Sequence, residues 1–188
     1  MLARSTDANP DELYVSVDIE AAGPIPGTYS MLALGACLVE AQDQAFYAEL
    51  RPISDRFIPE AMRVGGFSLD ELRLTGREPG EAMRAFRDWL VQVAGPRQPV
   101  FVGFNASFDW SFVNWYFHTF VGENPFGIGG IDIKSYYMGL TGCAWGETTS
   151  SQLPPEFQPE QRQTHQALDD ARAQAEIFRK LLAARRQE

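Results

Sequence analysis

The sequence predicts an α/β fold, with a run of strands at the start and then strands and helices in alternation. Three observations carry this. Apolar and polar residues alternate from Leu13 to Glu20, and two further apolar runs follow before residue 51. From there onward apolar residues recur in steps of three and four, interrupted by a short strand-like run at 99–103. Alternation puts every second side chain on one face of an extended chain, and steps of three and four do the same for a helix. The 188 residues suffice for one sizeable core, so one domain is expected over 13–188.

Residues 1–12 are polar, contain Pro10, and read as a loose tail. In the first strand Leu13, Val15, Val17 and Ile19 form the apolar face, which leaves Asp18 and Glu20 on the other. Gly23-Pro24-Ile25-Pro26-Gly27 turns the chain into a second strand, Met31 to Val39, and a shorter third follows, Ala45 to Leu50. Three strands in succession imply an antiparallel meander. Within the mixed stretch 51–67, Pro59 suits the first position of a helix. Ser68-Leu69-Asp70-Glu71 has the form of a capping box before a short helix, which Gly76 and Pro79-Gly80 end.

Met83, Phe86, Leu90 and Val93 define the next helix, stopped by Gly95-Pro96 ahead of a fourth strand, Pro99 to Gly103. Phe108, Phe112, Trp115 and Tyr116 form the stripe of the helix after it. Asn124-Pro125 and the glycines of 127–130 close that helix; they lack the G-K-[ST] of a phosphate loop and read as a turn. Ile131 to Ile133 is a short fifth strand feeding a helix through Leu140. From Thr141 to Gln163 the chain is rich in Gly, Pro, Ser, Thr and Gln without periodicity, a long connection of the kind that is functional or mobile. Leu168, Ala171, Ala175, Phe178 and Leu182 mark a final amphipathic helix from Gln166 to about Ala184.

Composition excludes several classes. Hydrophobic residues make up 45% and charged residues 22%, a globular balance, and no apolar run approaches the ~18 residues of a membrane span. The N-terminus MLARSTDANPDE has no apolar segment of a secretory signal, so a cytoplasmic location is expected and Asn105-Ala106-Ser107 is not read as a glycosylation site. Cys37 and Cys143 are too few for a disulfide framework and lack metal-finger spacing. A formal net charge of −9 has the wrong sign for wide non-specific binding along duplex nucleic acid. An acidic chain can still act on polyanions where its carboxylates gather around divalent cations, which reverse the field that a phosphate meets.

The clustering of acids therefore decides the reading. Asp18 and Glu20 project from one strand face with Cα atoms about 6.6–6.8 Å apart, where like charges repel unless a cation neutralises them. A solvated strand face explains that pair equally well when it stands alone. Asp109 falls in the first turn of a helix, whose positive end favours a carboxylate; an ordinary cap accounts for it as readily. Near the C-terminus Asp170 lies about 110° from the middle of the apolar stripe and Asp169 about 150°, so Asp170 is the better placed to face a site. His165 and Asp170 would diverge by about 140° if both were helical, which predicts that His165 precedes the helix.

Taken together, Asp18-Ile19-Glu20, Asn105-Ala106-Ser107-Phe108-Asp109 and His165-Gln166-Ala167-Leu168-Asp169-Asp170 resemble, in order and context, the three motifs of the DEDDh 3′→5′ exonucleases. That family includes proofreading exonucleases, ribonuclease T and oligoribonucleases. The third segment is similar to the family's H-x-A-x-x-D, which selects Asp170 over Asp169. The resemblance implies a ribonuclease H-like fold: a five-stranded mixed sheet, its first three strands antiparallel, flanked by helices, with Asp18 and Glu20 on the central strand. It implies two Mg2+ or Mn2+ ions, with Asp18 bridging both, Glu20 and Asp170 holding the first and Asp109 the second. His165 takes a proton from the attacking water, a task that suits imidazole near neutral pH.

By the same resemblance the substrate is a single-stranded RNA or DNA 3′ end or a short oligonucleotide, released as nucleoside 5′-monophosphates. Ala21, Ala22, Asn105 and Phe108 are assigned to the substrate surface, and a homodimer is an expectation because relatives are often dimeric. Two departures stand out. Ala21 and Ala22 replace the Thr residues that often follow the second acid, and Ala33 replaces a Glu often found on the second strand. Among aromatic residues that could stack on bases, Phe67, Phe104 and Trp110 are expected in the core and Trp145 in the loop. A catalytically silent nucleic-acid-binding or protein-interaction domain on the same fold, and a metal phosphohydrolase of small nucleotides, are the competing readings.

Overall fold

The alternation read from Leu13 to Glu20 is realised as β1 (Glu12–Ala21), one residue longer at each end. Glu12 thus belongs to the sheet and not to the polar tail. The computed structural model describes residues 11–160 and 164–185, so the rest of that tail lies outside the described residues. β2 (Met31–Leu38) and β3 (Ala45–Glu49) follow in antiparallel pairing, β1 to β2 and β2 to β3. β4 (Gln98–Gly103) then pairs parallel to β1 on its other side, and β5 (Gly130–Asp132) parallel to β4. The sheet is five-stranded and mixed, in the order β3-β2-β1-β4-β5, which places β1 at its centre.

Both faces are covered, for the reason that the two sides of β1 differ. Val15, Val17 and Ile19 enter a core with Phe86, Leu90, Phe112 and Phe117 from α3 (Pro79–Ala94) and α4 (Ser107–Phe120). The opposite face packs Cys37 and Val102 against Tyr137 of α5 (Ile133–Thr141) and Ala171, Ala175 and Phe178 of α6 (Ala167–Arg185). Asp18 and Glu20 lie on this second side. α1 (Pro59–Gly65) and α2 (Leu69–Thr75) pack near the end of β1, where Leu69 and Leu72 enclose Ala22 and Leu32. Pro59 opens α1, and the Ser68 hydroxyl accepts the Glu71 N–H at 3.4 Å to cap α2.

Several boundaries differ from the sequence reading, and three of the differences have a physical reason. Pro79-Gly80 does not end α2 but opens α3: a proline at the first helical position gives up only an N–H that has no partner within the helix. Ile133 belongs to α5, because Asp132 accepts the Ser135 N–H at 2.7 Å and starts that helix one residue early. The stretch from Thr141 is not structureless: α5 runs to Thr141, and 3-10 turns form at Trp145–Glu147, Ser150–Gln152 and Pro155–Phe157. Leu153 is buried there, Phe157 stacks edge-on to Tyr137 at 6.0 Å, and the Lys180 ammonium donates to the Gln158 carbonyl at 2.6 Å. Three-residue turns leave no periodic signature, which is why composition alone read them as open loop. Residues 161–163 of that stretch lie outside the described residues. Among the described residues no helix is long and apolar enough to cross a membrane, and Cys37 and Cys143 are free.

Candidate active site

The site forms where β1 outruns β4. The parallel pairing of the two strands ends at Ser16 and Val102, so beyond Ser16 the β4-facing edge of β1 is open. The Ile19 N–H has no ladder partner there and donates instead to Asp109 Oδ1 at 3.0 Å. A buried backbone donor requires an acceptor, and this one seats the Asp109 carboxylate against β1 at Ile19, the residue that separates Asp18 from Glu20 in the strand. Asp109 is 5% exposed, in the first turn of α4. The turn before it is built for this approach: Asn105 takes a φ of 64°, a left-handed conformation that asparagine tolerates, and Asp132 Oδ2 accepts the Ala106 N–H at 2.8 Å.

α6 delivers the remaining groups. It crosses β2 at Gly35, the register partner of Asp18, where a Cβ would lie 2.3 Å from the Ala167 carbonyl carbon and the Leu168 nitrogen. Only glycine admits this contact, which brings the first turn of α6 against the acidic strand. Asp170 is 5% exposed and Asp169 is exposed, as the angular argument expected. The Asp170 carboxylate accepts the Thr164 N–H at 2.7 Å and the His165 N–H at 3.2 Å, which ties the preceding segment to the helix. His165 lies ahead of α6, exposed, with a φ of 58°. One ligand atom from each of Glu20, His165 and Asp170 lies within 4.8 Å of the others.

Electrostatically the cluster is frustrated. Burial pushes Asp109 up to about 7 against the opposing pull of the Ile19 N–H, with the Glu20 charge adding to the rise. Burial and the Asp170 charge likewise raise Glu20 to about 7. Asp18 is held well above the usual carboxylate range by burial and then by Asp109, Asp170 and Glu20, while Gln174 works the other way. Burial also raises Asp170. Four carboxylates that resist ionising together, with an imidazole beside them, are a donor set that a hard divalent cation fits and relieves.

A pH dependence follows from these directions. Each of these carboxylates holds its proton more tightly folded than unfolded, so without metal their contribution to stability is fully present only below the ordinary carboxylate range. That contribution is lost as pH rises through the values near 7 of Asp109 and Glu20. Melting curves in a chelator should therefore shift down from pH 5 to pH 8, and added Mn2+ should raise the midpoint more at pH 8 than at pH 5. An equal Mn2+ effect at both would contradict the arrangement.

The four acids and His165 are thus brought together. Of the residues assigned to substrate, Asn105 is exposed at the head of α4, Ala21 is half-buried at the end of β1, and Phe108 is half-buried with its ring 5.3 Å from that of Phe112. The Ala22 side chain is not available: it is 0% exposed inside the cluster with Leu32, Leu69 and Leu72, and its backbone bonds Ser30 and Ile58. Phe67, Phe104 and Trp110 pack in or against the cores, whereas Trp145 is 51% exposed with the Lys134 ammonium 4.1 Å from its ring centre. Two residues were missed by the sequence reading. Gly35 gave no signal beyond a glycine inside a strand; Gln174 gave one, a polar residue one helical turn from Asp170 between Ala173 and Ala175.

Comparison with known proteins points to one family. The model of the RNase_T exonuclease family matches residues 15–178. The 3′-5′ DNA exonuclease Cap18 of Escherichia coli is 51% identical over 169 residues, covering 89% of this chain and 90% of that protein. The nuclease domain of 3′hExo, a DEDDh family member bound to rAMP, superposes with a TM-score of 0.73 at 14% identity, covering 95% of each chain. A 3′-exonuclease that recognises the 3′ end of the histone mRNA stem-loop superposes with a TM-score of 0.76 at 15% identity, over 97% of this chain and 67% of that one.

Proposed function

The chain belongs to the RNase_T exonuclease family and is a 3′→5′ exonuclease, and we propose that it is of the DEDDh type and removes nucleotides from the 3′ end of single-stranded DNA with two divalent cations held by Asp18, Glu20, Asp109 and Asp170. The observation that carries this reading is the convergence of those four acids and His165 from segments far apart in the chain. Two Mg2+ or Mn2+ ions would supply Lewis-acid charge at the attacking and the leaving oxygen.

The chain's own residues do the rest. Asp18 lies within reach of the charges of the other three acids, with Glu20 and Asp170 beside His165 and Asp109 against the β1 backbone at Ile19. His165 takes a proton from the attacking water. Water oxygen bonds to the terminal phosphorus, the bond to the 3′ oxygen of the shortened strand breaks, and that oxygen takes up a proton. The product is a nucleoside 5′-monophosphate.

DNA is favoured by the similarity to Cap18, named a DNA exonuclease. The side chain of Ala21 also places no hydroxyl after Glu20 to engage a 2′-OH, the group by which proteins tell RNA from DNA. A single strand is favoured by the net charge of −9, which leaves few cations to track two backbones, and by Trp145, whose exposed indole offers a surface for base stacking. The test is digestion of 5′-labelled single-stranded DNA and RNA of one sequence in Mn2+. A ladder shortening from the 3′ end, faster on DNA, is expected. No ladder on either strand would overturn the reading, and faster cleavage of RNA would overturn the choice of sugar.

A further inference from the structure

One buried polar side chain beside the acids is not itself among them. Gln174 sits on α6 one turn beyond Asp170 and is 1% exposed. Its Oε1 accepts the Phe104 backbone N–H at 2.8 Å, and its Nε2 donates to Asp18 Oδ1. The orientation of the amide is not ambiguous: the Phe104 N–H can only donate, so the amide oxygen faces it and the NH2 faces Asp18. Phe104 follows the last residue of β4 and opens the turn that leads into α4 and Asp109. One side chain therefore joins the strand of Asp18, the turn before Asp109 and the helix of Asp170.

We propose that Gln174 is a positioning residue for the exonuclease reaction: its amide, locked by Phe104, fixes the rotation of the Asp18 carboxylate so that its remaining lone pairs face the divalent cations. The proposal rests on the reading above that these acids hold metal. A carboxylate oxygen has two lone pairs, so the bond from Nε2 occupies one on Oδ1 and leaves the others free. Among the described residues no other hydrogen bond to the Asp18 carboxylate is seen, so without that donor its rotation is left to packing and to repulsion from Asp109, Asp170 and Glu20. Groups that orient a metal ligand in this manner are typically worth about 10- to 100-fold in metal affinity or activity.

The test is Gln174→Met, which keeps the length and burial of the side chain and removes the donor. Calorimetric titration of the full chain with Mn2+, in the absence of any nucleic acid, should show affinity weaker by about 10- to 100-fold. In cleavage of a single-stranded oligonucleotide at limiting Mn2+, kcat should fall while KM stays within about twofold, because Gln174 touches no substrate. The binding arm needs no nuclease substrate, so it reports on Gln174 even if wild-type protein fails to cleave. A folded Gln174→Met with wild-type Mn2+ affinity overturns the proposal. Should that variant not fold, nuclear magnetic resonance of the wild-type Gln174 side-chain amide decides. A proton displaced from its solvent position that moves on adding Mg2+ supports the role, and a solvent-like pair unmoved by Mg2+ rejects it.

Discussion

Asp109→Asn is expected to lower turnover by about 1,000-fold or more while raising the melting temperature of the metal-free protein at pH 8. Asparagine keeps the shape of the side chain and an oxygen that accepts the Ile19 N–H, so the contact that seats residue 109 against β1 survives. The negative charge is lost. Lewis-acid stabilisation of the transition state is worth several kcal/mol, and each 1.36 kcal/mol is about tenfold in rate, which sets the roughly 1,000-fold figure. Stability moves the opposite way because the carboxylate is buried, its pKa is raised to about 7, and at pH 8 it must be ionised beside Glu20. At pH 5 the wild-type carboxyl already holds its proton, so the gain should shrink there. Asp109→Ala would separate these effects less cleanly, since it strands the Ile19 N–H at a cost of about 1–3 kcal/mol. Single-turnover cleavage in Mn2+ and melting curves in a chelator check both halves. A variant that cleaves at the wild-type rate would remove Asp109 from the site, and one that melts lower at pH 8 would remove the repulsion argument.

The parts of this site that were legible in the sequence are those with a period or a local rule. The alternation along β1 placed Asp18 and Glu20 on the face away from Val15, Val17 and Ile19, and the helical angle chose Asp170 over Asp169; both hold in the structure. The placement of His165 ahead of α6 came from the same geometry. What the sequence could not show depends on contacts between distant segments. Gly35 matters because α6 lies on it, a fact about β2 and α6 jointly. The Ala22 side chain drops out of the substrate surface because α2 covers it. α4 shows an intermediate case: Phe112 and Tyr116 are buried as expected, but Val113 and Phe117 replace Phe108 and Trp115 as its most enclosed residues. With aromatic residues on most sides of that helix, periodicity gave its existence and left its rotation to be decided by packing.

His165→Gly is expected to cost about 100- to 10,000-fold in kcat, the usual range for a general base, and yet to leave the fold as stable or more so. The reason lies in the backbone. His165 holds a φ of 58°, a left-handed conformation that costs an L-residue with a Cβ roughly 1–2 kcal/mol and that glycine adopts freely. The segment is kept there by the Thr164 and His165 N–H groups, both donated to Asp170, and those bonds belong to the backbone and survive the substitution. The strain is thus stored where it aims the imidazole toward Glu20 and Asp170, and removing the imidazole releases it. The ring also lies close enough to those two carboxylates to serve as a ligand, and the same variant separates the roles. A base leaves Mn2+ affinity within about twofold when lost, whereas a ligand takes a large part of the affinity with it. Calorimetric Mn2+ binding, kcat at saturating Mn2+ and the melting midpoint together decide the matter. Wild-type kcat would require a different base, and a large fall in Mn2+ affinity would move His165 from proton transfer to the metal shell.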